Sequence, residues 1–311
     1  MRSNQKGIIL YPLHIIFCSP DRITPLDSTQ LEALRLPTLR LSSNARRLNA
    51  QHQLILQACD NHLLDPSIPC DGVRSIADVA TGTGIWLTEL KDELTTSSTP
   101  KQGNENTGFD ISDAQFPQNS GPDIDFVVQD MTKPFPVQYH NRYDIVHVSL
   151  IFIAIPRAQI DAAVENTLAL LKPGGYIQWD EMELASEHDL WPGPAVKSGV
   201  GVIYDFMRLF GMTETPVSDL SAAFVSRGLE NIVVRDYVTF RHPELVGESR
   251  AWLLQSLSSL VPLGLLRQGK TKDIEAGKVV WSQMEREVRK EFERGVEPGC
   301  PIVSIVARKG T

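Results

Sequence analysis

Nothing in this chain concentrates positive charge. Its 311 residues carry 38 acidic against 30 basic side chains, a formal charge of −8 at pH 7, without a dense lysine or arginine run. A footprint on a nucleic-acid backbone is therefore not expected. Cysteine is scarce too: Cys18, Cys59, Cys70 and Cys300 stand far apart, with no Cys-x-x-Cys and no histidine at zinc-like spacing. That excludes a recognisable metal site and a disulfide framework, and suits reduced thiols in a cytoplasmic protein. No period of about 20 to 50 residues repeats, which excludes solenoids and propellers. No apolar run is long enough to span a bilayer. Arg2 and Lys6 do precede an apolar stretch, Ile8 to Phe17, that resembles a short signal peptide. Pro12 and His14 interrupt it and no small-x-small cleavage site follows Cys18, so residues 1–24 read as a docked or disordered extension.

What is present suits a globular chain: 42% hydrophobic and 22% charged residues, with length enough to bury a core unaided. After the extension, residues 31–64 show amphipathic helical spacing, closed by Asp65-Pro66. Then short apolar runs take over. Strands are expected at 75–80, 106–111, 125–129, 143–149 and 176–182, with helices at 85–94 and 158–171. Strand, turn, helix, strand is the pattern of a parallel sheet covered by helices on both faces, an α/β fold of Rossmann-like type. Further on, helices are expected at 200–210, 218–228, 249–266 and 273–294, and strands at 232–241 and 301–307. The polar stretch 95–107 reads as an exposed loop. Because the sheet takes its last strand from the C-terminus, residues 25–311 form one domain. It comprises a helical cap (25–70), a core (75–183) and two inserted segments (184–230 and 243–295) expected to form a lid over the ligand crevice.

Four features could build a ligand site. Asp78-Val79-Ala80-Thr81-Gly82-Thr83-Gly84 forms the first strand-to-helix turn, where glycine permits positive φ and close backbone approach. Asp78, Ala80, Thr81, Gly82 and Gly84 are the candidates there, although a lone Gly-x-Gly also serves helix–strand packing. Asp110, followed by Ile111 at the second strand tip, could accept hydrogen bonds from both hydroxyls of a ribose. Asp130, at the third tip, could accept from an adenine amino group while Met131 packs on the ring. Ser149 and Leu150, at the fourth, could line the same crevice.

The sequence here resembles the class I S-adenosylmethionine-dependent methyltransferases, in the fungal secondary-metabolism branch related to the regulator LaeA. The resemblance covers roughly residues 46–183. It is carried by Arg47-Leu48-Asn49-Ala50-Gln51-His52, Thr81-Gly82-Thr83-Gly84-Ile85-Trp86, Gly108 to Ser112, Phe126 to Met131, Tyr143-Asp144-Ile145-Val146-His147-Val148 and Leu171-Lys172-Pro173-Gly174-Gly175-Tyr176. It implies a seven-stranded sheet with one antiparallel strand and S-adenosyl-L-methionine as cofactor. Two departures stand out. Ala80 replaces the family's first glycine, which requires φ to stay negative there. Asp110 lies 28 residues beyond Gly82, the polar loop accounting for the excess. A dinucleotide is the poorer ligand, because Leu87 stands where a third glycine would be.

Methyl transfer needs alignment and exclusion of water more than it needs a base. The catalytic candidates are His147, Asp180 and Glu181, with His147 reading as a satisfied core histidine rather than a base. Gln51 and His52 lie on a helix that can close over the cofactor. In the lid, Trp191, Tyr204, Phe206, Met207, Phe210, Trp252, Leu253 and Leu260 read as core more than pocket; those that face the crevice would make the acceptor an apolar molecule of polyketide, alkaloid or peptide origin. The expected function is methyl transfer to oxygen or nitrogen of such a molecule in fungal natural-product biosynthesis. The alternatives are a cyclase or pericyclase that uses only the cofactor's charge, and a non-enzymatic regulator. No nucleic-acid or membrane partner is expected, and a homodimer is open.

Overall fold

The computed structural model describes residues 41–97, 105–118, 123–183 and 190–311. The extension 1–24, with Cys18, and the first part of the cap lie outside them. Seven strands form one sheet: β1 (Ser75–Val79), β2 (Glu105–Asp110), β3 (Ile124–Val128), β4 (Tyr143–Ser149), β5 (Leu171–Met182), β6 (Glu230–Val238) and β7 (Pro301–Arg308). Their order is β3-β2-β1-β4-β5-β7-β6, parallel from β3 to β5, with β7 antiparallel to both its neighbours. This is the Rossmann-like sheet and terminal hairpin that the resemblance implied.

Among the described residues seven α-helices flank the sheet: α1 (Leu41–Ala58), α2 (Ile85–Ser97), α3 (Ile160–Leu170), α4 (Pro194–Leu209), α5 (Pro216–Ser226), α6 (Val246–Arg267) and α7 (Ile274–Glu293). α1 stops short of the expected Asp65-Pro66. Asp60 and Asn61 turn left-handed, at φ 55° and 61°, and the Asn61 amide returns to the Leu56 carbonyl at 2.8 Å, capping the helix.

Strand alternation gives the sheet two different faces. Val79, Val146, Val148, Ile177, Trp179 and Ile305 pack into one apolar cluster with residues of α3 and α5. Asp78, His147, Gln178, Asp180 and Ser304 occupy the other parity, towards α1, α2 and the inserted helices. A sheet buried on both sides is expected to be apolar throughout. This polar row is the exception, and it marks the site.

α4, α6 and α7 pack on one another as a roof over the polar face. α5 does not join them, which corrects the expectation that all of 184–230 forms the lid. Its Leu220, Ala223 and Phe224 belong to the far-face core, Phe224 packing on Trp179 with ring centroids 6.3 Å apart. The α6–α7 excursion begins and ends at one point: the Thr239 amide donates to the Cys300 carbonyl at 3.3 Å, and the Cys300 amide to Thr239 Oγ1 at 2.8 Å. Among the described residues no helix is long and apolar enough to cross a membrane, and no three metal-ligating side chains cluster.

Candidate active site

After Val79 the chain must turn from strand into α2. Ala80, Gly82 and Gly84 all take left-handed backbone, at φ 61°, 56° and 71°. The requirement that Ala80 keep a negative φ is thus overturned. A left-handed alanine costs about 1 kcal/mol, and three bonds around it fix the turn. Thr81 Oγ1 donates to Asp78 Oδ2 at 2.5 Å, the Thr81 amide to the Phe109 carbonyl at 3.0 Å, and the Gly82 amide to Asp110 Oδ2 at 2.9 Å. The left-handed turns thus spend the Thr81, Gly82 and Gly84 amides within the protein, the last on the Thr81 carbonyl at 2.9 Å. Gly84 has a different role: a Cβ there would lie 2.5 Å from Phe126 Cζ, so its glycine serves helix–sheet packing.

A cavity of about 250 Å³ opens between this turn, the ends of β4 and β5, and the roof. It brings together Asp78, Ala80, Thr81 and Gly82 from the turn, Ser149 and Leu150 after β4, and Asp180 from β5. Gln51 and His52 of α1 close one side, and Trp191, Tyr204, Trp252, Leu253 and Leu260 line the roof. His52 Nε2 also bonds Glu89 Oε2 at 2.8 Å, docking α1 on α2.

Other expected members lie elsewhere. Phe206, Met207 and Phe210 pack in a cluster with Cys59 and Phe152 rather than on the cavity. Met131 is buried among Phe109 and Phe135, so it is a core residue and not a ring platform. Asp130 Oδ1 accepts from the Thr132 amide at 2.8 Å and hydroxyl at 2.7 Å, a local turn. Asp110 and its neighbour Ile111 also stand outside the lining; the Asp110 carboxylate holds the Gly82 amide and the Ser112 amide, the latter at 3.1 Å, and so shapes the turn from behind.

The buried centre of the site is His147. Its Nδ1 bonds Asp78 Oδ1 at 2.8 Å and its Nε2 bonds Asp180 Oδ2 at 3.1 Å, while the ring stacks on Trp86 at 3.7 Å between centroids. Burial by itself would lower its pKa, but the hydrogen bonds to Asp180 and Asp78, and their charges, raise it to about 9. His147 is therefore an imidazolium clamped between carboxylates on adjacent strands, and no base at neutral pH. The preference for a core histidine holds.

Glu181, the neighbour of Asp180, points to the other face. It accepts the Ile151 amide at 2.9 Å, the Phe152 amide at 3.3 Å and Trp179 Nε1 at 3.0 Å, which fixes the loop after β4 and removes it from the catalytic candidates. Burial pushes Glu181 and Asp110 up to about 7 each, against the hydrogen bonds they accept. A carboxyl with a raised folded pKa contributes stability below its unfolded pKa, and loses it as pH rises through the folded one. The thermal midpoint is therefore expected to fall by several degrees between about pH 5 and about pH 8. Calorimetric scans across that interval test this, and a rising midpoint would contradict it.

Arg47 and Ser304 are site residues that were not singled out in the sequence. Arg47 lines the cavity beside the glycine turn, with Nη1 3.4 Å from Gln51 Oε1 and Nη2 buried without a partner. It makes no ion pair among the described residues, and burial lowers its pKa. The available signal was local: α1 contains no aspartate or glutamate to pair with it. An uncompensated buried guanidinium is costly unless a ligand supplies the negative charge.

Comparison with known proteins gives the following. A family model described as a methyltransferase domain matches residues 76–175. The chain is 31% identical over 260 residues to methyltransferase grgD of Penicillium sp, covering 77% of this chain and 90% of that protein. It is 36% identical over 152 residues to N-methyltransferase sirN of Leptosphaeria maculans, covering 49% of this chain and 51% of that one. Among solved structures, the [4+2]-cyclase SpnF superposes with a TM-score of 0.46 at 16% identity, covering 83% of this chain and 80% of that one.

Proposed function

We propose that this chain, which belongs to the class I S-adenosylmethionine-dependent methyltransferases, transfers a methyl group to a nitrogen of an apolar small molecule. The observation that carries this reading is the division of one cavity into unlike ends. At the turn, Asp78, Thr81, Gly82 and Arg47 supply polar groups; towards the roof, Trp191, Tyr204, Trp252 and Leu260 supply an apolar wall. The first suits an amino-acid head group and the second a hydrophobic acceptor.

The residues present fit the cofactor. The unpartnered Arg47 Nη2 matches a carboxylate, and Asp78 near the end of β1 matches an ammonium group. Ser149 and Leu150 border the same end. Bound there, S-adenosylmethionine would supply an electrophilic methyl group whose leaving group is the neutral thioether S-adenosylhomocysteine. The protein's own work is alignment and dehydration. The roof excludes water, Leu150 is fixed at φ 54° by its amide bond to the Asp180 carbonyl at 2.8 Å, and Glu181 holds the following loop from behind. Nitrogen is favoured over oxygen because an amine brings its own lone pair, whereas a hydroxyl would need a base. His147, already protonated, does not offer one. The printed names of sirN and of gliN of Aspergillus fumigatus, both N-methyltransferases, support the same choice. The fungal relatives support a place in natural-product biosynthesis.

The test is direct. Incubation with methyl-labelled S-adenosylmethionine and a fungal metabolite extract is expected to yield a labelled product that mass spectrometry identifies as N-methylated. Calorimetric titration is expected to show cofactor binding, and its absence would sink the reading.

A further inference from the structure

The antiparallel register of β5 and β7 sets Asp180 directly opposite Ser304. Both line the cavity, and both are buried, at 7% and 3% exposure. Asp180 Oδ2 is occupied, accepting from His147 Nε2 at 3.1 Å and from Gln178 Nε2 at 3.0 Å. Asp180 Oδ1 has no donor, and Ser304 Oγ has no partner of any kind. Buried polar atoms in native proteins are nearly all paired. Two orphans on paired positions, carried by side chains that line the same cavity, leave room for a partner that the protein itself does not supply.

The chemistry of that missing group can be narrowed. A carboxylate oxygen can only accept, so its partner is an N–H or O–H donor. A ligand carboxylate or phosphate oxygen would meet an oxygen that can only accept, so it is disfavoured at this point and an N–H donor is favoured. Ser304 can accept a second proton from the same nitrogen or donate to a neighbouring acceptor atom. Met182 and Leu260 add apolar wall to the same cavity.

We propose that Asp180 Oδ1 and Ser304 Oγ form a two-point anchor for an N–H group of the acceptor, making the substrate class an apolar amine rather than a phenol, acid or hydrocarbon. This rests on reading the cavity as a methyltransferase acceptor site. The anchor holds the acceptor's orientation through its nitrogen; it is a binding contact and takes no proton in the argument.

A matched pair of probes tests it: tetrahydroisoquinoline, a secondary amine, and tetralin, its hydrocarbon isostere, each titrated into protein saturated with S-adenosylhomocysteine. The wild type is expected to bind the amine at least about tenfold more tightly than the hydrocarbon, as a hydrogen bond to a charged group implies. Asp180→Asn is expected to erase most of that ratio, and Ser304→Ala to reduce it by about threefold. Ser304→Ala breaks no internal hydrogen bond, so it keeps the test readable should Asp180→Asn fail to fold. Equal affinity for the two probes, or no binding of either, overturns the anchor and leaves the two oxygens to a resident water. Failure of S-adenosylhomocysteine itself to bind overturns instead the methyltransferase reading of the cavity, and the anchor with it.

Discussion

His147→Leu is expected to lower the free energy of unfolding by about 3 to 5 kcal/mol near neutral pH, the cost of stranding buried charge when one partner is removed. The histidine bonds Asp78 and Asp180 on strands either side of its own, and nothing else among the described residues compensates both carboxylates. Leucine fills similar space and can still lie against Trp86, so the loss isolates charge from packing. The pH dependence identifies the cause. His147 is raised to about 9 in the folded protein, above its ordinary value. The stability it contributes is therefore full below about pH 6.5 and is lost as pH rises through about 9. Urea denaturation of wild type and variant should show curves well apart near about pH 6 that converge near about pH 10. A gap that stays constant would assign His147 to ring stacking instead.

Arg47→Met is expected to weaken S-adenosylmethionine binding by about 10- to 100-fold, the range for a charge-assisted hydrogen bond to a carboxylate. The same substitution is expected to leave the cofactor-free protein as stable or more so, because it removes a buried cation that no acidic side chain among the described residues balances. Opposite signs in the two states are the diagnostic. Thermal midpoints measured with and without S-adenosylhomocysteine should show the ligand-induced rise shrinking while the unliganded midpoint holds or climbs. A fall in the unliganded midpoint with the ligand-induced rise intact would make Arg47 a structural residue of α1. Methionine is the suitable replacement because it keeps the apolar stem that lies over the cavity.

Much of the fold is legible in the residues. β4 is found at Tyr143–Ser149 as expected, because an apolar run bounded by polar turns leaves little choice, and β6 and β7 supply the predicted hairpin. The ends of α1 were less legible, since Asp60 and Asn61 stop it through a backbone conformation that apolar spacing does not encode. Within the site, adjacent candidates were the difficulty. Asp180 and Glu181 are chemically alike, yet strand alternation sends one into the cavity and the other beneath Ile151, and only the register against β4 and β7 decides which. Met131 illustrates the reverse error: a residue beside a strand-tip aspartate has the right neighbours in sequence, but Phe109 and Phe135 claim it for the core. Arg47 was visible as part of a motif, and its significance lies in a missing counter-charge, which is a property of space rather than of sequence. Ala80 was misjudged because the cost of a left-handed alanine was weighed alone, without the bonds to Phe109 and Asp110 that hold the turn.

The meeting of Thr239 and Cys300 lets the α6–α7 part of the roof leave and rejoin the sheet at one point, while Glu291, accepting from the Ala195 and Val196 amides, ties it to α4. Everything from Phe240 to Gly299 leaves the sheet and returns to it across a single pair of hydrogen-bonded residues. To the β6–β7 hairpin, a segment of different length or sequence between those two anchors would look the same. Trp252, Leu253 and Leu260 travel with that segment; Arg47, Asp78, Gly82, Asp180 and Ser304 do not. Exchange of that segment would replace part of the apolar wall and leave Arg47, Asp78 and Gly82 in place. For an engineer, the same two residues are the splice points at which to graft a new pocket wall.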